Sequence, residues 1–405
     1  MTNPAQSLTA QWLERRAQCI MTSYGPPTLA LERGEGVRVW DVDGRQYLDL
    51  ISGIAVNSLG HNHPRLVKAI AEQAAKLIHV SNLYGIPPQI QLAEALTRHS
   101  CADKVFFCNS GAESIEGALK IARLYAKKNG HPERHGYVSM KNSFHGRTLA
   151  ALTATGQHKY HQGFEPMMPG FAYADFNNLA SVEAALTPET CAIICEPIQG
   201  EGGIIPASSE FLAGLRALCD KRDLTLIFDE VQTGMGRTGH AFGYQHSGVE
   251  PDVFCLAKGL GGGVPIGATL ARGKHADVLT PGTHASTFGG NPLASAAALV
   301  VCEELFERHL LEHVCETGAH LGEALNRLVG QHKLAVEARG RGLMWGLVIE
   351  RACPEMTALL LKRGVLGNVT AGNVIRIAPP LVITKDECDE AVEAIGDALT
   401  ELASA

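Results

Sequence analysis

No C-x-x-C pair occurs among the eleven cysteines of this 405-residue chain, and their odd number cannot close into a complete disulfide set. They read as reduced, mostly buried thiols in a protein too large to need covalent staples. There is no excess of basic charge. With 35 Lys and Arg against 42 Asp and Glu, the formal net charge of −7 leaves no electrostatic footprint for nucleic acid. No apolar run is long enough to span a bilayer, the most apolar stretch being only residues 293–302. The first thirty residues contain no signal-peptide core. Residues 12–21 carry Arg15 and Arg16, but Glu14 and the brevity of the segment argue against a mitochondrial transit peptide. The expectation is a cytoplasmic protein with neither a membrane nor a nucleic-acid partner. Internal repeats and low-complexity linkers are missing, and so is the G-x-x-x-x-G-K-[ST] string of an ATP-binding loop.

What is present is a long chain with room for two or three domains. Residues 104–272 alternate short apolar runs with helical patterns, which predicts an α/β fold with a mostly parallel central sheet flanked by helices. Strands are expected at 105–108, 136–140, 192–195, 224–228 and 253–257. The helix after Asn109 would bury Ile115, Ala118, Leu119, Ala122 and Tyr125, and a helix at 209–222 would bury Leu212, Leu215 and Leu218. After Pro292 the pattern changes to long helices at 294–308 and 310–329, a strand at 343–350, a helix at 354–363 and a strand at 374–377. Thr384 and Glu387 form a capping box for the last helix, and Asp43-Gly44 reads as a hairpin turn between 37–40 and 47–51. The expected division is a large domain over 60–295 and a smaller α+β domain built from both chain ends, 1–59 and 296–405.

Lys258 ends the apolar run VFCLA and is followed at once by GLGGG, residues 259–263. A lysine amine released from a buried strand into a glycine-rich turn can condense with an aldehyde, because glycine lets the backbone pass close to a flat ring. Asp229 ends a second apolar run, 224–228. Set against a pyridine nitrogen, its carboxylate would keep that nitrogen protonated, so that the ring accepts carbanion electrons. The pairing points to a pyridoxal-phosphate site, and the bland alternative is a surface lysine and a helix-capping aspartate. Ser110 and Glu113 form an S-x-x-E capping pair, and a helix start with free N–H groups beside a glycine is also where a phosphate binds. Ligands of parallel sheets gather beyond the carboxyl ends of the strands, which would place Asn109, Glu196, Asp229 and Lys258 around one crevice.

Other motifs carry less. GMGRTG at 234–239 matches the dinucleotide fingerprint, but it begins several residues after its strand, and 240–250 offers no helix N-terminus to a pyrophosphate. His61 and His63 lack a clustered third ligand, and the segment from Asp41 to Gly44 lacks the ligands of a calcium loop, so no metal site is expected.

Six strings then occur in order: NSGAE (109–113), FHGRT (144–148), EPIQGEGG (196–203), DEVQTG (229–234), Lys258-Gly259 and STFGGNP (286–292). With them the chain resembles, over nearly its whole length, the class III, fold-type-I pyridoxal-phosphate aminotransferases of the acetylornithine and ornithine branch. The resemblance implies that Ser110, Gly111 and Ala112 hold the cofactor phosphate, Phe144 covers one ring face, Asp229 pairs with the ring nitrogen, Gln232 approaches the ring hydroxyl and Lys258 carries the cofactor. It implies a homodimer in which Thr287 reaches across to the neighbouring phosphate, so that two subunits share each site. A planar guanidinium binds a carboxylate through two parallel hydrogen bonds. By resemblance Arg147 would take the α-carboxylate of an acylated ornithine and the distal carboxylate of glutamate. Arg376, in VIRIAPP (374–380), would take glutamate's α-carboxylate, with Glu201 masking it when the ornithine-type substrate is bound. Tyr24 and Ser286 would be further contacts to the substrate carboxylate.

The implied reaction moves the δ-amino group of N2-acetylornithine to 2-oxoglutarate, giving N-acetylglutamate 5-semialdehyde and glutamate, a step of arginine biosynthesis. Ile54 stands where the similar ornithine aminotransferases place a tyrosine, and an apolar residue there suits an acylated nitrogen better than a free amine. Gly117 also departs from relatives, and is expected to matter little because a glycine inside a helix costs only about 1 kcal/mol. The competing readings are a succinylornithine, ornithine or 4-aminobutyrate aminotransferase, a glutamate-semialdehyde aminomutase, a non-catalytic ligand-binding protein on the same fold, and a nicotinamide oxidoreductase built on residues 234–239.

Overall fold

Buried strands organise the molecule. In the computed structural model, which describes residues 7–404, seven of them form one sheet in the order Lys104–Cys108, Gly267–Ala271, Val253–Leu256, Thr225–Asp229, Thr190–Cys195, Gly136–Met140, Phe171–Ala174. Residues 1–6 and 405, which the expected smaller domain includes, lie outside the described residues. Every neighbour pairs in parallel except Gly267–Ala271, which runs antiparallel to both strands beside it. The central strands are buried along their whole length. Helices cover both faces of such a sheet, so its strands read as continuous apolar runs rather than as alternation.

The helix Gly111–Lys128 buries Ile115, Ala118, Leu119, Ala122 and Tyr125, the face its periodicity predicts. Gly117 corrects an expectation. It is buried against the antiparallel strand, where an added Cβ would stand 2.6 Å from Thr269 Oγ1. That hydroxyl cannot swing away, because it donates to Ser114 O at 2.8 Å while Ser114 Oγ donates to Ala268 O at 2.6 Å. The glycine sets the distance between helix and sheet, so its importance lies in packing rather than in helix propensity.

A second sheet joins the two ends of the chain. Leu31–Glu35, Arg38–Asp41 and Gln46–Asp49 pair antiparallel, and Val365–Leu366 adds in parallel beside Gln46–Asp49. The expected hairpin turn is tied by Asp41 Oδ1, which accepts from the N–H groups of Asp43 and Arg45 at 3.1 and 2.8 Å. A third sheet, in the order Ala335–Arg341, Met344–Ile349, Val374–Ile377, Asn368–Thr370, is antiparallel throughout. The long helices Pro292–Glu307 and Leu310–Gln331 fall within a few residues of their predicted bounds. At the last helix the capping box is reciprocal: Thr384 N donates to Glu387 Oε2 at 2.9 Å and Glu387 N to Thr384 Oγ1 at 3.3 Å. All eleven cysteines are free and most are buried. Among the described residues no helix is long and apolar enough to cross a membrane.

Candidate active site

The carboxyl ends of the parallel strands open into a cavity of about 360 Å³, lined among others by Asn109, Ser110, Gly111, Ala112, Phe144, Glu196, Glu201, Asp229, Gln232 and Lys258. Lys258 leaves its strand with φ 42°, a left-handed conformation that is uncommon and strained for a side-chain-bearing residue. The turn continues through Gly259 to Gly263, the last at φ 117°. Burial first, and the Arg376 guanidinium second, push the Lys258 amine down to about 8, against the opposing pull of Glu201, Asp229 and Glu196. A lysine so placed holds far more of its amine neutral near pH 7 than an exposed lysine does, and the neutral form is the one that attacks a carbonyl carbon.

Asp229 sits in register with Cys255 on the lysine's own strand, which brings the two site residues to the same end of the sheet. Its Oδ1 accepts from Val231 N at 3.0 Å, and its Oδ2 lies 2.7 Å from His145 Nδ1 with both side chains buried. A carboxylate accepts, so the proton of that contact belongs to Nδ1. His145 Nε2 is buried with no partner among the described residues. Sequence reasoning passed over His145, although it stands within the FHGRT string. Glu196, placed at the crevice without a role, is fully enclosed. Burial, and then the neighbouring Asp229, raise its carboxyl well above the usual range, and its Oε2 finds no partner among the described residues.

At the start of the Gly111–Lys128 helix, Ser110 Oγ accepts from Glu113 N at 3.2 Å. The other half of the expected capping pair lands one residue earlier: Glu113 Oε2 accepts from Asn109 N at 2.7 Å and from Asn109 Nδ2 at 2.8 Å. The first N–H groups of the helix face the cavity end with the helix dipole behind them. Gly111 fits closely here, since a Cβ would come within 2.8 Å of Val231 Cγ1. Gln232 Oε1 is buried without a hydrogen-bond partner among the described residues, and Gly200 leaves it room, because a Cβ there would fall 2.3 Å from that oxygen. These features fit pyridoxal phosphate: a helix terminus for the phosphate, a carboxylate for the ring nitrogen, a free amide oxygen for the ring hydroxyl and an amine for the aldehyde.

The residues expected to meet carboxylates divide into two groups. Arg376 is buried on the strand Val374–Ile377, ion-paired with Glu201, with its Nε donating to Asn368 Oδ1 at 3.2 Å. Arg147 is exposed, has no hydrogen bond or ion pair among the described residues, and rests on aromatic rings, 4.0 Å from the Tyr160 centroid and 5.5 Å from that of Phe144. Five expected residues are not among those lining the cavity within one chain: the two arginines, which flank it, and Ser286, Thr287 and Tyr24. Ser286 accepts from Asn109 Nδ2 at 3.2 Å but lines a separate surface groove with Thr287, which is exposed, and Tyr24 is 77% exposed. Ile54 lies 45% exposed at φ 67° in the left-handed turn of residues 52–55. The segment Gly234 to Gly239 is a mostly buried turn, packed at Gly236 against Leu305 and Leu311 and followed only by the short turn Gly243–His246.

Residues 20–399 match the family model of class-III aminotransferases. The chain is 50% identical to the acetylornithine aminotransferase of Caldanaerobacter subterraneus subsp. tengcongensis over 95% of its own length and 98% of the relative's. It is 52% identical to that of Gloeobacter violaceus over 93% and 94%. The ornithine aminotransferase of Toxoplasma gondii superposes with a TM-score of 0.94 at 33% identity, covering 99% of this chain and 97% of that one. The N-acetylornithine aminotransferase of Stenotrophomonas maltophilia does so with a TM-score of 0.82 at 39% identity, covering 94% and 98%. With a strand-end lysine and aspartate lining one cavity whose residues fit the cofactor, this chain belongs to the class-III aminotransferases and works with pyridoxal phosphate.

Proposed function

We propose that the chain transfers the δ-amino group of N2-acetylornithine to 2-oxoglutarate, forming N-acetylglutamate 5-semialdehyde and glutamate in arginine biosynthesis. The observation that carries this reading is the contrast between two arginines: Arg376 is buried and neutralised by Glu201, whereas Arg147 has no acidic partner among the described residues. One open cation suits the single carboxylate of the acylated substrate. Unmasking the second accommodates the two carboxylates of glutamate, so one cavity serves both halves of the reaction. The acetylornithine aminotransferases at about half identity over nearly the whole chain support the same choice. Apolar Ile54 supports an acylated rather than a free α-nitrogen.

When bound, pyridoxal phosphate supplies an aldehyde that accepts the amino group and a ring that stores the electrons of the deprotonated carbon. Lys258 Nζ would hold the cofactor and, as a free amine, would take a proton from the substrate's δ-carbon and return it during the transfer. Asp229, steadied by His145, would keep the ring nitrogen protonated. Ser110 and the N–H groups of Gly111 and Ala112 would hold the phosphate, and Phe144 and Gln232 would hold the ring and its hydroxyl. Glutamate formation uses the same residues in reverse order, giving ping-pong kinetics.

We further propose a homodimer and a division into residues 60–295 and a smaller domain from both chain ends. Thr287 and Ser286 lie beside strongly exposed Leu83 and Phe288, an apolar surface suited to a second copy, across which Thr287 would meet the partner's phosphate. Tyr24 would join the substrate contacts in that assembly. A biosynthetic role and buried reduced thiols support a cytoplasmic location. The deciding experiment compares kcat/KM for acetyl-, succinyl- and free ornithine with 2-oxoglutarate as acceptor, since that ratio measures discrimination. A preference for the succinyl or free compound overturns the substrate assignment.

A further inference from the structure

Tyr160 belongs to none of the strings that identify the site, yet its ring is the one nearest the guanidinium of Arg147, which has no acidic partner among the described residues. It lies on the short turn His158–Tyr160, half-buried, beyond the helix that follows the FHGRT loop. Its ring stands edge-on to Phe144, with centroids 6.0 Å apart and planes at 83°, so the two rings form a corner. The Arg147 guanidinium sits in that corner.

Resting on the reading of Arg147 as the carboxylate-binding residue, we propose that Tyr160 is its positioning residue: the ring holds the guanidinium by its face and leaves the N–H edges for the substrate carboxylate. A carboxylate partner would steady the arginine equally well but would occupy those edges and cancel the charge. An aromatic face does neither, since it attracts the cation through the ring quadrupole and accepts no conventional hydrogen bond. The same ring also carries Lys159, whose Nζ lies 4.8 Å from its centroid, so two cations gather on one aromatic support beside the cavity. The Tyr160 hydroxyl makes no hydrogen bond among the described residues, which assigns the effect to the ring rather than to the oxygen.

The test is steady-state kinetics on the cofactor-loaded enzyme with Tyr160→Leu, Tyr160→Phe, Arg147→Ala and the double variant Tyr160→Leu/Arg147→Ala. Losing the ring contact and the ordering it gives is expected to raise KM for acetylornithine and for 2-oxoglutarate roughly tenfold. In Tyr160→Leu, kcat and the absorbance of the bound cofactor should stay near those of the unsubstituted enzyme, whereas Tyr160→Phe should restore KM to within about twofold. In the double variant, removing the ring should add nothing to Arg147→Ala. Tyr160→Met is a second ring-free variant where Tyr160→Leu folds poorly. The proposal is overturned if Arg147→Ala raises KM while the ring-free variants do not, or if Tyr160→Phe is as impaired as Tyr160→Leu. If Arg147→Ala itself leaves KM unchanged, the assignment of Arg147 has failed, an outcome read independently of Tyr160.

Discussion

His145 Nδ1 lies 2.7 Å from Asp229 Oδ2, and both side chains are closed off from solvent. With Oδ1 accepting from Val231 N and Oδ2 facing His145, the carboxylate is held in one orientation at the strand end. Replacing His145 by alanine would leave Asp229 buried with one partner fewer, and an unsatisfied buried acceptor costs about 1–3 kcal/mol. Cofactor affinity is therefore expected to weaken between about fivefold and 150-fold. Titration of the cofactor-free variant with pyridoxal phosphate, followed by absorbance, checks this.

Lys258→Ala is expected to lose both half-reactions by at least roughly 10⁴-fold, since proton transfer and cofactor attachment fail together. The circular-dichroism spectrum should be unchanged. The intact lysine predicts a pH profile. Burial, then Arg376, set its amine near 8, so the neutral fraction grows with rising pH and saturates above that value. Loading of cofactor onto the cofactor-free protein should accelerate from pH 6.5 to about 8 and then level off. A rate that falls over this window would contradict the assignment.

Glu201→Ala removes the acidic partner of buried Arg376. The exposed charge should favour substrates that bring their own second carboxylate, shifting the kcat/KM ratio of glutamate over acetylornithine upward by roughly tenfold. Single-turnover measurement of each half-reaction separates the two effects.

Gly117→Ala improves helix propensity yet is expected to destabilise the protein by about 1–3 kcal/mol, because the new methyl group meets a hydroxyl held in place by Ser114. Urea unfolding gives the difference. A gain in stability would show that helix and sheet separate freely at this point.

The sheet and its site were legible because their signals are local. Lys258 and Asp229 each end a run of buried apolar residues, and a strand end followed by glycine marks a ligand-facing turn whatever the rest of the chain does. His145 was missed because its partner is 84 residues away, a pairing that only the parallel sheet brings about. Tyr160 was missed for the same reason, since ring and guanidinium meet across a helix. Elements at the molecule's margin left weak patterns: the helix Leu8–Cys19 buries no residue, Pro64–Lys76 buries only Leu66, and the strand Leu31–Glu35 is almost entirely exposed. Thr287, Ser286 and Tyr24 stand apart from the cavity within one chain, and the family resemblance, not any local signal, was what pointed to them.

The parallel pairing of Gln46–Asp49 with Val365–Leu366 has a consequence during synthesis. A ribosome adding about 5–20 residues per second needs roughly 15–60 s to travel from one strand to the other. For that interval the early hairpin carries a vacant edge, the kind of template on which nascent chains from neighbouring ribosomes can pair wrongly. Chaperone dependence of the newborn polypeptide should therefore track translation speed, and slow-codon variants downstream of the hairpin should aggregate more.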